Sequence, residues 1–214
     1  MDLIGRIATP VGKKMLMGIT GLGFCGFLVV HLAGNFTLFK GAEAFAGYTE
    51  KLHSLGPMLK FAEFILLLMA VLHVLTGVVL ALENRAARPE KYQVTARHGG
   101  RTFASSTMIY TGLLTLVFIT LHLIGFKFSP PSGVSRYPVV VETFSRLNYV
   151  GAYLLGIGAI AFHVSHGFWS AFQSLGANGE GSTPFLRKCA TALALVVGVG
   201  FAVIPVMFFL TGTP

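Results

Sequence analysis

The sequence predicts an all-α integral membrane protein, a bundle of five transmembrane helices, and two observations carry that prediction. Of its 214 residues 54% are hydrophobic and only 11% charged, whereas soluble domains keep about a quarter of their residues charged. Five apolar runs, at about 15–39, 60–83, 105–127, 146–172 and 188–212, each reach the roughly 20 helical residues needed to cross a hydrocarbon core about 30 Å thick. Residues 1–214 read as one transmembrane domain with no internal repeat.

The segment Met1 to Gly12 is not expected to be a signal peptide. The apolar run behind Lys13 and Lys14 is too long for an h-region and shows no small-residue cleavage site, so the first run should remain as a helix. After it, Gly41 to Pro57 is too polar to span. Phe45, Thr49, Leu52 and Leu55 recur there at near-helical spacing beside Glu50 and Lys51, as in a helix lying on the membrane interface and roofing a site. The loop between the second and third runs is strongly basic. The loop Lys127 to Arg146 holds Pro130, Pro131 and Pro138 and reads as irregular. Thr183 followed by Pro184 suggests an N-cap and first-turn proline, with a short interfacial turn before the fifth run. Cys25 and Cys189 lie in or at the start of apolar helices with no CxxC or CxxCH spacing, and read as small packing residues.

The net charge of +8 raises the question of nucleic acid, and its distribution answers it. Ten of the sixteen Lys and Arg lie on one side, in the N-terminal segment, the 84–104 loop and the 173–187 loop with Lys188, and five of them, Arg85, Arg88, Lys91, Arg97 and Arg101, crowd a single loop. Such a bias orients a membrane protein and places the N-terminus in the cytoplasm and the C-terminus outside.

Seven histidines are present, and His31, His73, His122 and His163 fall one each within the first four runs. An ionisable ring in hydrocarbon is costly and faces the bundle interior with a partner, so each is a functional candidate. Depth pairs them. His31 and His122 lie about 8 and 5 residues from the external ends of their helices, while His73 and His163 lie about 10 and 9 residues from the cytoplasmic ends of theirs. Two bis-histidine sites follow, in layers about 10 Å apart. Two imidazoles from different helices do not complete a zinc site. They do saturate both axial positions of a haem iron, which favours electron transfer over ligand chemistry. The expected bundle therefore binds two b-type haems. His166, three residues beyond His163, competes for the fourth ligand position, and His163, the deeper, is preferred. His53 and His98 fall in predicted loops, with His53 closing the amphipathic external segment. Gly18, Gly21, Gly34, Gly77, Gly112, Gly156 and Gly158 are candidates for making room for a flat macrocycle, or equally for helix packing.

The stretch Lys13-Lys14-Met15-Leu16-Met17-Gly18-Ile19-Thr20-Gly21, with His31-Leu32-Ala33-Gly34-Asn35 behind it, resembles the dihaem cytochrome b membrane-anchor subunit of succinate dehydrogenases and quinol:fumarate reductases. The resemblance continues through Gly41-Ala42-Glu43-Ala44-Phe45, His53-Ser54-Leu55-Gly56-Pro57, His73 with Gly77, and Phe162-His163 with Gly167-Phe168-Trp169, and so covers nearly the whole chain. It implies that His31 and His122 bind a distal haem and His73 and His163 a proximal one. It further implies a flavoprotein subunit and an iron-sulfur subunit docked on the cytoplasmic face, which suits the basic loop, and leaves room for a dimer of the whole complex. A quinone, menaquinone or similar, would then react near the distal haem, with Asn35, Glu50 and His53 as the nearest polar residues for its oxygens. On this resemblance the chain is a subunit of an oxidoreductase in a bacterial-type cytoplasmic membrane, with no catalytic residue for the dicarboxylate reaction and no nucleic-acid partner. Two other classes compete. One is the haem anchor of a hydrogenase or formate dehydrogenase, usually less regular in its histidines, against which the motif around His31 argues. The other is a histidine-dependent transporter without haem.

Overall fold

A computed structural model describes residues 5, 8–87, 106–128, 135–179 and 181–212. His98 and the loop residues Arg88, Lys91, Arg97 and Arg101 lie outside the described residues, as do Pro130 and Pro131. The described chain is all-helical: α1 Pro10–Asn35, with a 3-10 turn Phe36–Lys40; α2 Ala42–His53; α3 Pro57–Ala86; α4 Met108–Leu123, extended by a π-helical turn Ile124–Phe128; α5 Tyr137–Phe144; α6 Leu147–Ser174; and α7 Thr183–Thr211. Five of these elements, α1, α3, α4, α6 and α7 with their extensions, are long and apolar enough to cross a membrane. Many of their large apolar side chains point away from the bundle, as Phe61, Leu67, Leu82, Tyr110, Leu155 and Leu210 do, which is the surface hydrocarbon chains would cover.

Helix boundaries follow local chemistry. α1 starts several residues before its apolar run because the Thr9 hydroxyl accepts from the Gly12 amide at 3.0 Å and Pro10 stands in the first turn. α7 begins at Thr183, with Ser182 at the cap position and Pro184 in the first turn. Thr183 is therefore already helical, and the chain runs unbroken into the apolar part of α7 with no separate interfacial turn. The loop expected to be irregular holds α5, which starts on Tyr137 and Pro138. A proline there has a preset φ and lacks only an amide that the first turn leaves unbonded anyway.

Two helices carry most of the packing. α6 lies against α1, α4 and α7, and α1 lies against α3, α6 and α7, while α3 and α4 touch each other only slightly. Cys25, Ile160, Val164 and Val197 form the core where α1, α6 and α7 meet. α3 buries little but is fastened at both ends by ion pairs, Lys13 with Glu83 and Lys127 with Glu63. We call the end of the bundle that holds Pro10, Ala86, Met108 and Ser174 the near end, and the opposite one the far end.

The far end is roofed. Gly41 and Gly56 take positive φ values of 91° and 53° at the two corners of α2, a region open to glycine at little cost, and so lay that helix across the bundle end. Leu38, Phe45, Tyr137, Val140, Phe144, Val150, Ile204 and Phe208 form a second core there, joining α2 and α5 to the ends of α6 and α7. The Tyr48 hydroxyl sits where a Cβ on Gly34 would be. A side chain at 34 would force the Tyr48 ring out of its place against the end of α1.

Candidate functional site

The four helices that carry the histidines bring them together in two pairs. His31 of α1 faces His122 of α4 with ring centroids 6.0 Å apart, and His73 of α3 faces His163 of α6 at 6.2 Å. The rings stand nearly edge to face, at 83° and 70°. On α1, Gly21 lies against His73 and Phe27 stacks on His31; six residues separate them, about 9 Å of axial rise. The near pair is therefore His73 with His163 and the far pair His31 with His122.

Each near-pair ring is held by the helix beside it. Thr20 Oγ1 of α1 lies 3.0 Å from His73 Nδ1, and Thr111 Oγ1 of α4 lies 3.3 Å from His163 Nδ1. A Cβ on Gly21 would come within 3.3 Å of His73 Cε1, and one on Gly112 within 3.2 Å of His163 Cε1, so these two glycines admit the ring edges. Beside this pair, between α3 and α4, a cleft of about 330 Å³ is lined by Val78, Ala81, Leu82, Arg85, Ile109 and Leu113.

The far pair sits among aromatic rings. Phe27 stacks on His31 at 5.2 Å and Phe201 of α7 lies at 5.6 Å, while Phe118, Phe126 and Tyr153 surround His122 at 6.0, 5.5 and 6.1 Å. Its polar neighbours are Asn35, whose amide donates to the His31 carbonyl at 2.8 Å and lies 3.4 Å from the ring nitrogens, and Tyr153, whose hydroxyl is 3.4 Å from His122 Nδ1. Of the residues proposed from sequence for a quinone, Asn35 stands at the far pair, whereas Glu50 and His53 are exposed on α2. His166 turns from the pair and packs edge-on to Trp169 at 5.0 Å. The suggested glycines divide. Gly18 faces the α6 backbone at Ala171 and Gly156 yields to the Phe118 ring, while Gly77 and Gly158 have no close neighbour that a side chain would displace.

The geometry corrects the absence of an internal repeat. Met17, Thr20, Gly21, Leu22, Phe27, His31, Leu32 and Gly34 recur 91 residues on as Met108, Thr111, Gly112, Leu113, Phe118, His122, Leu123 and Gly125, and His73, Val74 and Gly77 recur 90 residues on as His163, Val164 and Gly167. Each pair thus joins a residue to its own counterpart in the other half of the chain. Thr20, Thr111, Phe27 and Tyr153 are site residues that the first reading of the sequence missed. For the first three the repeat was the available signal; Tyr153 has no counterpart of its kind.

The residues present fit a haem. Two imidazole nitrogens each about 2 Å from a metal between them set ring centroids about 6 Å apart, as both pairs stand. Among the described residues no three His, Cys, Asp or Glu side chains converge as a bare metal would require. The cleft between α3 and α4 is apolar except for Arg85, which suits a flat hydrophobic macrocycle with acidic substituents at one edge.

Fold and site define a class, a multi-pass membrane protein whose bundle interior presents two facing histidine pairs in separate layers. Within that class the chain is similar to the succinate dehydrogenase cytochrome b558 subunit of Bacillus subtilis (strain 168), 26% identical over 190 residues that span 87% of this chain and 88% of that protein. The similarity matches the cytochrome b anchor family that the motifs resemble. No protein-family model and no solved structure matches the chain.

Proposed function

We propose that this chain is the membrane anchor and electron-transfer subunit of a succinate:quinone oxidoreductase, holding two b-type haems, one between His31 and His122 and one between His73 and His163. The observation that carries the proposal is the meeting of four histidines from four helices in two pairs at centroid distances of 6.0 and 6.2 Å. A bound haem iron supplies a one-electron couple, and with both axial positions filled by imidazole it offers no open site for oxygen or substrate. The chain's own part is to hold the two layers apart along α1 and to exclude water around the far one with Phe27, Phe118, Phe126 and Phe201. Electrons from succinate would enter from a flavoprotein and an iron-sulfur subunit at the near end, taken as cytoplasmic, where Lys13, Arg85 and Arg187 give a basic rim. They would leave to a quinone, menaquinone or similar, at the far end, or travel in reverse during fumarate reduction. Asn35 is the polar group nearest the far pair for a quinone oxygen, with Glu50 and His53 on the α2 roof as candidates to exchange protons with water. The setting is a bacterial-type cytoplasmic membrane.

The test is a pyridine haemochrome assay with dithionite-reduced minus oxidised spectra on the purified protein. Two haems b per chain, falling to one in each of His31→Ala, His73→Ala, His122→Ala and His163→Ala, is the expected result. A folded preparation with no Soret band would overturn the proposal and favour a transporter that uses the histidines without haem.

A further inference from the structure

Thr20 is among the least exposed polar residues of the bundle, at 3%, and its single hydroxyl proton is already directed to its own helix. Oγ1 donates to the Leu16 carbonyl at 2.8 Å, with the Met17 carbonyl at 3.1 Å. What remains toward His73 Nδ1, 3.0 Å away, is an oxygen lone pair. A lone pair there accepts from a protonated Nδ1, the tautomer that leaves Nε2 bare. Thr111 repeats the arrangement on α4: its hydroxyl is directed to the Thr107 and Met108 carbonyls at 3.2 and 3.1 Å, and its lone pair faces His163 Nδ1 at 3.3 Å. In each half the motif is Met-Xaa-Xaa-Thr-Gly-Leu, with the methionine carbonyl as a second acceptor of the threonine hydroxyl and the glycine clearing the ring edge. The far pair has no such device in either half, since Asn35 and Tyr153 are unlike each other and stand at 3.4 Å.

We propose that Thr20 and Thr111 are positioning residues for the near pair: they hold His73 and His163 in the Nδ1-protonated tautomer, turn both Nε2 atoms toward one axial ligand site, and raise the donor strength of both rings. The inference rests on the haem assignment above. Hydrogen bonding to the outer nitrogen of a ligating histidine fixes ring orientation and increases ligand basicity. More basic ligands stabilise ferric over ferrous iron, so removing the acceptor raises the potential of that iron alone.

The experiment is a spectroscopic redox titration of the full chain in its assembled membrane complex, with electron paramagnetic resonance of the ferric low-spin signals, for Thr20→Val, Thr111→Val and Thr20→Ser. Valine keeps the shape and removes the oxygen, and the two valine variants sit in different helices, so misfolding of one leaves the other informative. The expected result is an upward shift of one midpoint potential and a changed signal for the same centre in both valine variants, with the other centre unmoved and the serine variant like wild type. Loss of only the haem that His73→Ala also removes would support the proposal equally. Unchanged potentials and signals, equal shifts of both centres, or a serine variant behaving like valine would overturn it. Absence of haem from the wild type would instead defeat the haem assignment.

Discussion

The two histidine pairs are built from the same repeated sequence and yet have different surroundings. At the near end both halves keep the same threonine, the same glycine and the same methionine carbonyl, so His73 and His163 see nearly the same neighbours. At the far end the halves share a phenylalanine four residues before each histidine, Phe27 and Phe118, but their other neighbours differ: one ring meets Asn35 and the other Phe126 and Tyr153. The near end of the bundle is open between α3 and α4, while α2 and α5 close the far end. On the proposed function, symmetry persists where two equivalent ligands would be held, and is lost where an asymmetric partner, such as the quinone, would be met.

The largest expected effect tests the pairing itself. His31→Ala combined with His122→Ala should leave one haem per chain, and so should His73→Ala with His163→Ala, whereas His31→Ala with His73→Ala should leave none; haemochrome quantification on the three double variants decides. Next in size is Gly21→Val. A Cβ there already lies 3.3 Å from His73 Cε1, and the added methyl groups would displace the ring, so the near haem should be lost or greatly weakened while the far one keeps its spectrum. The matching substitution at the roof, Gly34→Ala, collides with the Tyr48 hydroxyl and should cost about 1–3 kcal/mol, as overpacking does. Its thermal unfolding midpoint should fall and quinone reduction slow, with the near centre's potential unchanged. Tyr153→Phe removes a hydroxyl 3.4 Å from His122 Nδ1, a long contact, so the far centre's potential should move less than the near centre's does in Thr20→Val. Smallest of all should be Lys13→Met. Its partner Glu83 is about half exposed at 47%, and ion pairs of this kind contribute about 0–1 kcal/mol, so the unfolding midpoint should shift by little and both haem spectra not at all.

Much of this protein was legible in its sequence because the bilayer imposes simple rules. Apolar length set the five spans, and the cost of an imidazole in hydrocarbon singled out the histidines. Counting residues from the helix ends grouped His31 with His122 and His73 with His163, because axial rise per residue is nearly constant. Other features needed more than counting. Pro138 looked like a loop residue, although in the first turn of α5 it begins a helix, and nothing local separates those two roles. Helical spacing also could not tell which face of α1 meets which neighbour. Gly21 therefore stayed divided between making room for a macrocycle and packing, and Thr20 carried no role, until α3 was placed beside them. Tyr153 is ten residues from His163 and belongs to the other layer, so its partner His122 became visible only once α4 and α6 were side by side. By itself the sequence determined membrane class, the number of spans and the depth of each histidine, since these depend on length and hydration cost along one chain. Only the tertiary structure decided which groups hold the rings, because Nδ1 contacts, close glycine approaches and the roof over the far end are made between helices distant in sequence.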